Sequence, residues 1–256
     1  MTTLALHHKI VGEGEPLLIM HGLFGNLDNW GAQIKALSEK YKVIALDLRN
    51  HGKSPHHDEV GYKAMANDVI ALMDDLNLKA AHIVGHSMGG KVAMQLAMNY
   101  PHRVNKLVIV DIAPVQYPAH HSDVFAGLNS VDLASIANRT AADKQLAEHV
   151  DNEGVRAFLL RNLYRDDAKQ FQWRMNLKGL EAHYNQIAAP PIGKVYNDSV
   201  LFIKGAKSDY MVEAYRDALL SLFPKATYQV IAEAGHWPHA EKPAQFTRTL
   251  VSYLES

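Results

Sequence analysis

Cysteine is absent from this chain of 256 residues, so disulfides, thiolate metal sites and a cysteine nucleophile are all excluded. Excess charge of either sign is lacking as well, because 26 basic residues face 27 acidic ones, for a formal net charge of −1. A nearly neutral chain gives no electrostatic reason to expect nucleic acid or an anionic membrane as a partner. We therefore expect the ligand to be a small molecule.

Long hydrophobic runs are also missing. No stretch reaches the ~18 uninterrupted apolar residues that a membrane-spanning helix needs. The first residues, Met1-Thr2-Thr3-Leu4, lack the basic region and the long apolar segment of a secretory signal. These features predict a cytoplasmic protein that does not insert into membranes. The sequence is compatible with either a monomer or a homodimer.

Short apolar runs of strand length alternate with segments of helical periodicity along most of the chain. Such alternation, in a chain with 48% hydrophobic residues, predicts an α/β fold with a doubly wound, mostly parallel sheet covered on both faces. We expect residues 4–11 to form an edge hairpin arm that leads into the first parallel strand. The strand-like runs are residues 17–20, 43–46, 83–84, 107–110, 200–203 and 228–231.

The alternation stops between about residues 114 and 196, where amphipathic segments dominate and buried-strand runs are not evident. A segment of this length is too long for a plain loop. We expect a helical cap of residues 115–196, inserted after the sixth strand into a core of residues 1–114 and 197–256. Such a cap would lie over the carboxyl ends of the strands, where doubly wound folds bind ligands. The alternative is a second, independently folding domain.

The pentapeptide Gly85-His86-Ser87-Met88-Gly89 follows a strand-like run and precedes a helix-like one. A G-x-S-x-G match arises by accident in roughly one chain of this length in ten. Its position between a strand and a helix is therefore stronger evidence for a functional site than the match itself. At a tight strand-to-helix turn, the serine hydroxyl is lifted above the sheet, and flanking glycines leave room for the strand and the helix. The pattern predicts a nucleophile elbow with Ser87 as the nucleophile.

A second glycine-containing turn, His21-Gly22-Leu23-Phe24-Gly25, follows the strand of residues 17–20. Such a turn can direct a backbone N–H group at an oxyanion that develops during the reaction. We expect the amides of Leu23 and Met88 to form the oxyanion hole. The side chains of Phe24 and Trp237 are candidates for an apolar substrate pocket.

The general base should be a histidine near the end of the chain, since the order in this arrangement is serine, acid, histidine. His236 follows Gly235, which permits a sharp turn back over the sheet. His239 is a competitor close in sequence. Two aspartates satisfy the chain order as the acid, namely Asp111 and Asp209, and each lies just after a predicted strand. Spacing alone leaves both open.

Four motifs resemble the α/β-hydrolase superfamily and, within it, the bacterial YbfF-type esterases. The motifs are His21 to Gly25, Asp47 to Gly52, Gly85 to Lys91 and Asp111 to Val115. The resemblance implies hydrolysis of short-chain acyl esters, with acyl-CoA thioesters as further candidate substrates, and it requires neither cofactor nor metal. It also implies that the acid follows the sixth strand, which favours Asp111. Ser208 stands where many relatives have the aspartate of Gly-x-x-Asp, which weakens the case for Asp209.

Two other functions remain open. A C–C bond hydrolase or a pyruvate-eliminating synthase with the same triad would need basic cap residues to hold a carboxylated substrate. The candidate arginines are Arg156, Arg161, Arg165 and Arg174. A non-catalytic binding protein could also have kept the fold. Its ligand binding and biological effect would not depend on Ser87.

Overall fold

The computed structural model describes residues 2–119 and 121–256, and this part of the chain forms nine strands and eleven α-helices. The strands are β1 (His8–Val11), β2 (Glu15–Met20), β3 (Tyr41–Leu46), β4 (Ala81–His86), β5 (Val104–Val110), β6 (Leu163–Arg165), β7 (Phe171–Trp173), β8 (Val200–Gly205) and β9 (Ala226–Ile231). The helices are α1 (Gly31–Leu37), α2 (Tyr62–Asp75), α3 (Met88–Asn99), α4 (Ser122–Ser130), α5 (Arg139–Leu146), α6 (Glu153–Leu159), α7 (Leu177–Ala182), α8 (Tyr184–Ala188), α9 (Arg216–Leu222), α10 (Pro238–Glu241) and α11 (Pro243–Leu254).

Seven strands form one sheet in the order β1-β3-β2-β4-β5-β8-β9. Neighbouring strands are parallel except β1, which runs antiparallel to β3. The mostly parallel α/β sheet predicted from the sequence is confirmed. The direction of winding changes between β2 and β4, and such a switch point opens a crevice at the carboxyl ends of the two strands.

Alternate side chains of the central strands point to opposite faces, and both faces are buried. Leu18 and Met20 of β2 join the apolar cluster that includes α2 and α3, whereas Leu17 and Ile19 join the cluster that includes α1 and α11. All four side chains are fully shielded from solvent. Burial on both sides explains why these strands appear in the sequence as continuous apolar runs.

The N-terminal arm differs from the prediction. Residues 2–7 belong to no strand, and β1 pairs with β3 instead of forming a hairpin with β2. The reason is the strand order, because β3 lies between β1 and β2 in the sheet. The arm therefore supplies one strand, and the segment of residues 115–196 follows the fifth strand of the chain, not a sixth.

The segment between β5 and β8 contains the helices α4 to α8, as its amphipathic pattern predicts. It also contains a small antiparallel sheet of β6 and β7 that the sequence pattern did not reveal. Each of these strands has three residues, and those of β7 are only half-buried. Strands this short leave no buried run to detect. Throughout the described ranges, no helix has the length and apolarity needed to cross a bilayer.

Both ends of this segment are held by one side chain of α3. The Lys91 Nζ donates to the carbonyl of Val115 at 2.9 Å, and to those of Ala188 and Ala189 at 2.9 and 2.7 Å. Only 2% of Lys91 is exposed. Three carbonyl oxygens use all three donors of an ammonium group. The ends of the segment thus meet at a single cation.

We predict that Lys91→Met lowers the free energy of unfolding by about 2–4 kcal/mol, because three shielded carbonyls lose their donor. For a chain of this size the midpoint of thermal unfolding should fall by about 5–15 °C. Calorimetry measures the difference between the unfolding midpoints. It is done at pH 6, below the pKa of about 7 to which burial lowers Lys91, so that the amine is charged. The exposed Lys40→Met serves as the control and should change little. Equal midpoints for the two variants would contradict the prediction.

Candidate active site

Ser87 lies at the turn between β4 and α3, at the switch point of the sheet. Its φ and ψ angles of 52° and −118° are unusual for a residue with a side chain. The backbone there is crowded, since a Cβ on Gly85 would lie 2.1 Å from the Gly89 carbonyl oxygen, and one on Gly89 would lie 2.5 Å from that of His21. Such a conformation costs on the order of 1–3 kcal/mol and persists only where its surroundings impose it.

Three predicted side chains meet in a hydrogen-bonded row above this turn. The Ser87 Oγ lies 2.9 Å from His236 Nε2, and His236 Nδ1 lies 2.7 Å from Asp111 Oδ2. Because the buried carboxylate accepts the Nδ1 proton, Nε2 of the neutral ring is left to accept the Ser87 hydroxyl proton. This tautomer is the one in which the imidazole can act as a base toward serine.

Asp111 is fully buried and held from several sides. Its Oδ1 accepts from the Gly205 amide at 2.9 Å, and its Oδ2 accepts from the Ser208 hydroxyl. Asp209 is exposed, and within the described residues the carboxylate bonded to His236 is that of Asp111. In the sequence, Ser208 stands out only as a departure from a motif. The structure makes it a donor to the carboxylate, which a single sequence gives no signal to find.

The imidazole of His236 is packed between aromatic rings. Tyr210 stacks on it with 3.8 Å between ring centroids, and Trp237 lies edge-on at 5.3 Å. His86 donates from Nε2 to the His236 carbonyl at 2.7 Å, and burial lowers the pKa of His86 well below its ordinary value, so that ring is neutral. The competing His239 is buried instead against Trp30, at 4.2 Å. Ring and backbone of His236 are both fixed.

The turn after β2 is fixed by His21. Its Nδ1 donates to the Gly22 carbonyl at 2.8 Å, and the Gly25 amide donates to the same oxygen at 2.9 Å. That carbonyl and the Leu23 N–H belong to one planar peptide and point in opposite directions. Holding the oxygen therefore sets the direction of the Leu23 amide. Burial lowers the pKa of His21, whose Nε2 accepts from the Leu48 amide.

Met88 is the first residue of α3, and the first N–H groups of a helix have no acceptor within the helix. Its amide follows Ser87 directly. Gly22 packs against the serine from the other side, since a Cβ there would lie 3.1 Å from that of Ser87. The amides of Leu23 and Met88 thus belong to segments that flank Ser87.

A cavity of about 170 Å³ opens over the serine. Phe24 and Trp237 line it, and so do Val124, Phe158 and Leu159 from the segment between β5 and β8. Most of its wall is apolar. Across residues 2–119 and 121–256 no three metal-ligating side chains cluster in a way that would hold a metal ion.

Comparison with known proteins agrees with this geometry. The family model of the alpha/beta hydrolase fold matches residues 15–243. The chain belongs to this family. Among its relatives, esterase YbfF of Escherichia coli (strain K12) is 40% identical over 240 residues, which cover 93% of this chain and 92% of that protein. The sn-1-specific diacylglycerol lipase ABHD11 of Mus musculus is 38% identical over 247 residues, which cover 93% and 80% of the two chains.

A solved structure, described as a marine microorganism esterase, superimposes on this α/β hydrolase with a TM-score of 0.95 at 35% identity. The match covers 98% of this chain and 100% of the other. The resemblance to the YbfF-type esterases inferred from four motifs is thereby confirmed. With its family and these relatives, the chain is a hydrolase.

Four buried histidines make stability depend on pH. Burial lowers the pKa of His21 and His86, and it lowers those of His51 and His239 to about 3. In the unfolded chain the same groups bind protons near pH 6.5. Between these values the unfolded state binds more protons than the folded state, so stability falls as pH decreases.

We therefore predict that the free energy of unfolding in urea declines steeply from pH 6 to 4. His239→Phe should keep the contact with Trp30 and reduce this slope by up to about 1.4 kcal/mol per pH unit, the value for one proton. Urea titrations of both proteins at pH 7.5, 6, 5 and 4 measure the slopes. Identical slopes would contradict the assignment of a neutral, buried His239.

Proposed function

We propose that this α/β hydrolase is a serine carboxylic-ester hydrolase that acts on short-chain acyl esters through an acyl-enzyme on Ser87. The observation that carries the proposal is the row from Ser87 Oγ through His236 to Asp111, with distances of 2.9 and 2.7 Å. Relatives named as an esterase and a diacylglycerol lipase support esters as the substrate class. Acyl-CoA thioesters would use the same chemistry and remain further candidates.

In the proposed reaction, His236 Nε2 removes the Ser87 proton while the serine oxygen attacks the acyl carbonyl. The resulting imidazolium faces the Asp111 carboxylate, which stabilises its charge without taking the proton. The amides of Leu23 and Met88 donate to the oxyanion. His236 then gives its proton to the leaving oxygen, and water releases the acyl group by the same steps. No cofactor takes part.

Asp111 is the proposed acid in preference to Asp209. The hydrogen bond from His236 Nδ1 supports this choice, as do the donors from Gly205 and Ser208 that keep the buried carboxyl in place. These donors hold the carboxylate oxygens toward the imidazole that carries a positive charge during the reaction.

The cavity above Ser87 supports a short acyl group. Its volume of about 170 Å³ lies below the roughly 300–1,000 Å³ of ordinary small-molecule pockets. Phe24 and Trp237 would contact the acyl chain. Because Val124, Phe158 and Leu159 also line this space, we assign residues 115–196 as a cap over the core of residues 1–114 and 197–256. The cap would then set the length of the acyl group.

The other functions considered for the sequence find less support. A carboxylated substrate on the acyl side would need a free cation there. Among the described residues, the one arginine or lysine that lines either small cavity at Ser87 is Lys91, which already donates to three carbonyls. A non-catalytic binding protein would not need a strained serine, a base and an oriented amide in one place. The ester hydrolase uses all three.

We predict that the protein hydrolyses p-nitrophenyl esters, with turnover highest for acetate to hexanoate and low for decanoate. Ser87→Ala removes the nucleophile and should reduce kcat by about 10⁴-fold or more. Release of p-nitrophenol over time measures both. Turnover that does not depend on Ser87 would overturn the proposal, and a maximum at decanoate would overturn the short acyl pocket.

The choice of acid is tested by two matched variants. Asp111→Asn should lower kcat by about 10⁴-fold, because the amide favours the wrong tautomer of His236. Asp209→Asn, at an exposed site, should stay within about twofold of the wild type. Circular dichroism and the unfolding midpoint show whether each variant is folded. A folded Asp111→Asn protein with near wild-type kcat would exclude Asp111 as the acid.

A further inference from the structure

A larger cavity of about 510 Å³ lies beside the one above Ser87. Helix α6 and the 3₁₀ turn that follows it form one wall, with Phe158 and Arg161. The turn of residues 235–237 and helix α10 form another, with Trp237. The two cavities share His236, Trp237, Val155 and Phe158 in their walls. A substrate bound at Ser87 can therefore extend from one cavity into the other.

The chemistry decides which part of the substrate enters the larger space. Its lining includes His236 but, among the described residues, neither Ser87 nor the residues of the proposed oxyanion hole. His236 must give its proton to the leaving oxygen, so the leaving alcohol lies on the His236 side of the reacting carbon. The acyl group stays in the smaller cavity. The alcohol part is then the larger part of the substrate.

Two residues with permanent charges line this larger cavity, Arg161 and Glu241. Both oxygens of Glu241 already accept from backbone, at 2.8 Å from the Gly235 amide and 3.1 Å from the Trp237 amide. For Arg161, no hydrogen bond or ion pair connects the side chain with any other residue of the described ranges. The guanidinium donors of Arg161 therefore remain for a ligand.

The other three arginines considered for substrate binding are engaged elsewhere. Arg156 pairs with Asp143 at 2.9 Å, and Arg165 donates to two carbonyls and lies over the Phe171 ring. The guanidinium of Arg174 lies 4.3 Å from the centre of the Tyr164 ring. None of these three is on the cavity wall. Of the four arginines considered for substrate binding, the geometry selects Arg161.

Resting on the proposed function, we propose that the 510 Å³ cavity holds the alcohol part of the ester and that Arg161 favours alcohols carrying an anionic oxygen group, such as a carboxylate or a phosphate. A planar guanidinium with several donors matches such groups in shape as well as charge. The smaller cavity thus selects acyl groups by their size, and the larger cavity selects alcohols by their charge.

The test compares two butyrate esters with chromogenic leaving groups, one of 4-nitrophenol and one of 3-carboxy-4-nitrophenol. The ratio of kcat/KM for the carboxylated ester to that for the neutral ester is measured at low salt. Taking the ratio removes differences in folding or in the reacting groups. Arg161→Gln should lower this ratio about 2- to 5-fold, the range for an exposed ion pair, and Arg161→Glu should lower it further. Salt at 0.5 M should lower the ratio for the wild type but not for Arg161→Gln.

Arg174→Gln is the matched control, because it removes an arginine of the same segment outside the cavity. It should leave the ratio unchanged. If Arg161→Gln and Arg174→Gln have equal effects, or if neither changes the ratio, the assignment of Arg161 is wrong while the esterase function stands. If neither ester shows turnover that depends on Ser87, the proposed function fails and this inference fails with it.

Discussion

The close approach of α3 to the ends of β4 and β2 is the constraint on which the site depends. There is no space for a Cβ on Gly85 or Gly89, and Ser87 between them adopts a positive φ of 52°. This packing brings the first amide of α3 beside the serine and sets the turn after β2 against it. Any side chain larger than hydrogen at these glycines would push the helix away and separate the groups that the geometry brings together.

The sheet brings distant parts of the chain to this turn. Asp111 and His236 are 125 positions apart in sequence, yet they follow β5 and β9, strands separated by β8 alone. Gly205, at the end of β8, passes so close to the His236 loop that a Cβ would lie 1.9 Å from the Gly235 oxygen. Three strand ends thus converge on one carboxylate. Rigid parallel strands hold these groups in place more precisely than loops alone would.

Much of this arrangement could be predicted from the sequence, because it rests on local patterns. Apolar runs mark strands that are buried on both faces, and glycines around Ser87 mark the sharp turn. Other features depend on contacts that no local pattern encodes. Chain order and spacing suit Asp111 and Asp209 equally, whereas in the structure the carboxylate bonded to His236 is that of Asp111. The donor role of Ser208, the stacking of Tyr210 on His236 and the pairing of β1 with β3 are likewise products of the assembled sheet.

Lys91 has a consequence for how such proteins diversify. Because its ammonium binds Val115 at one end of the segment and Ala188 at the other, Lys91 holds the two ends of the segment together. The positions of β5 and β8 therefore do not depend on the length or structure of the segment between these two contacts. The helices and strands between those two ends can be replaced as a unit, while the strand ends that carry Ser87, Asp111 and His236 keep their positions.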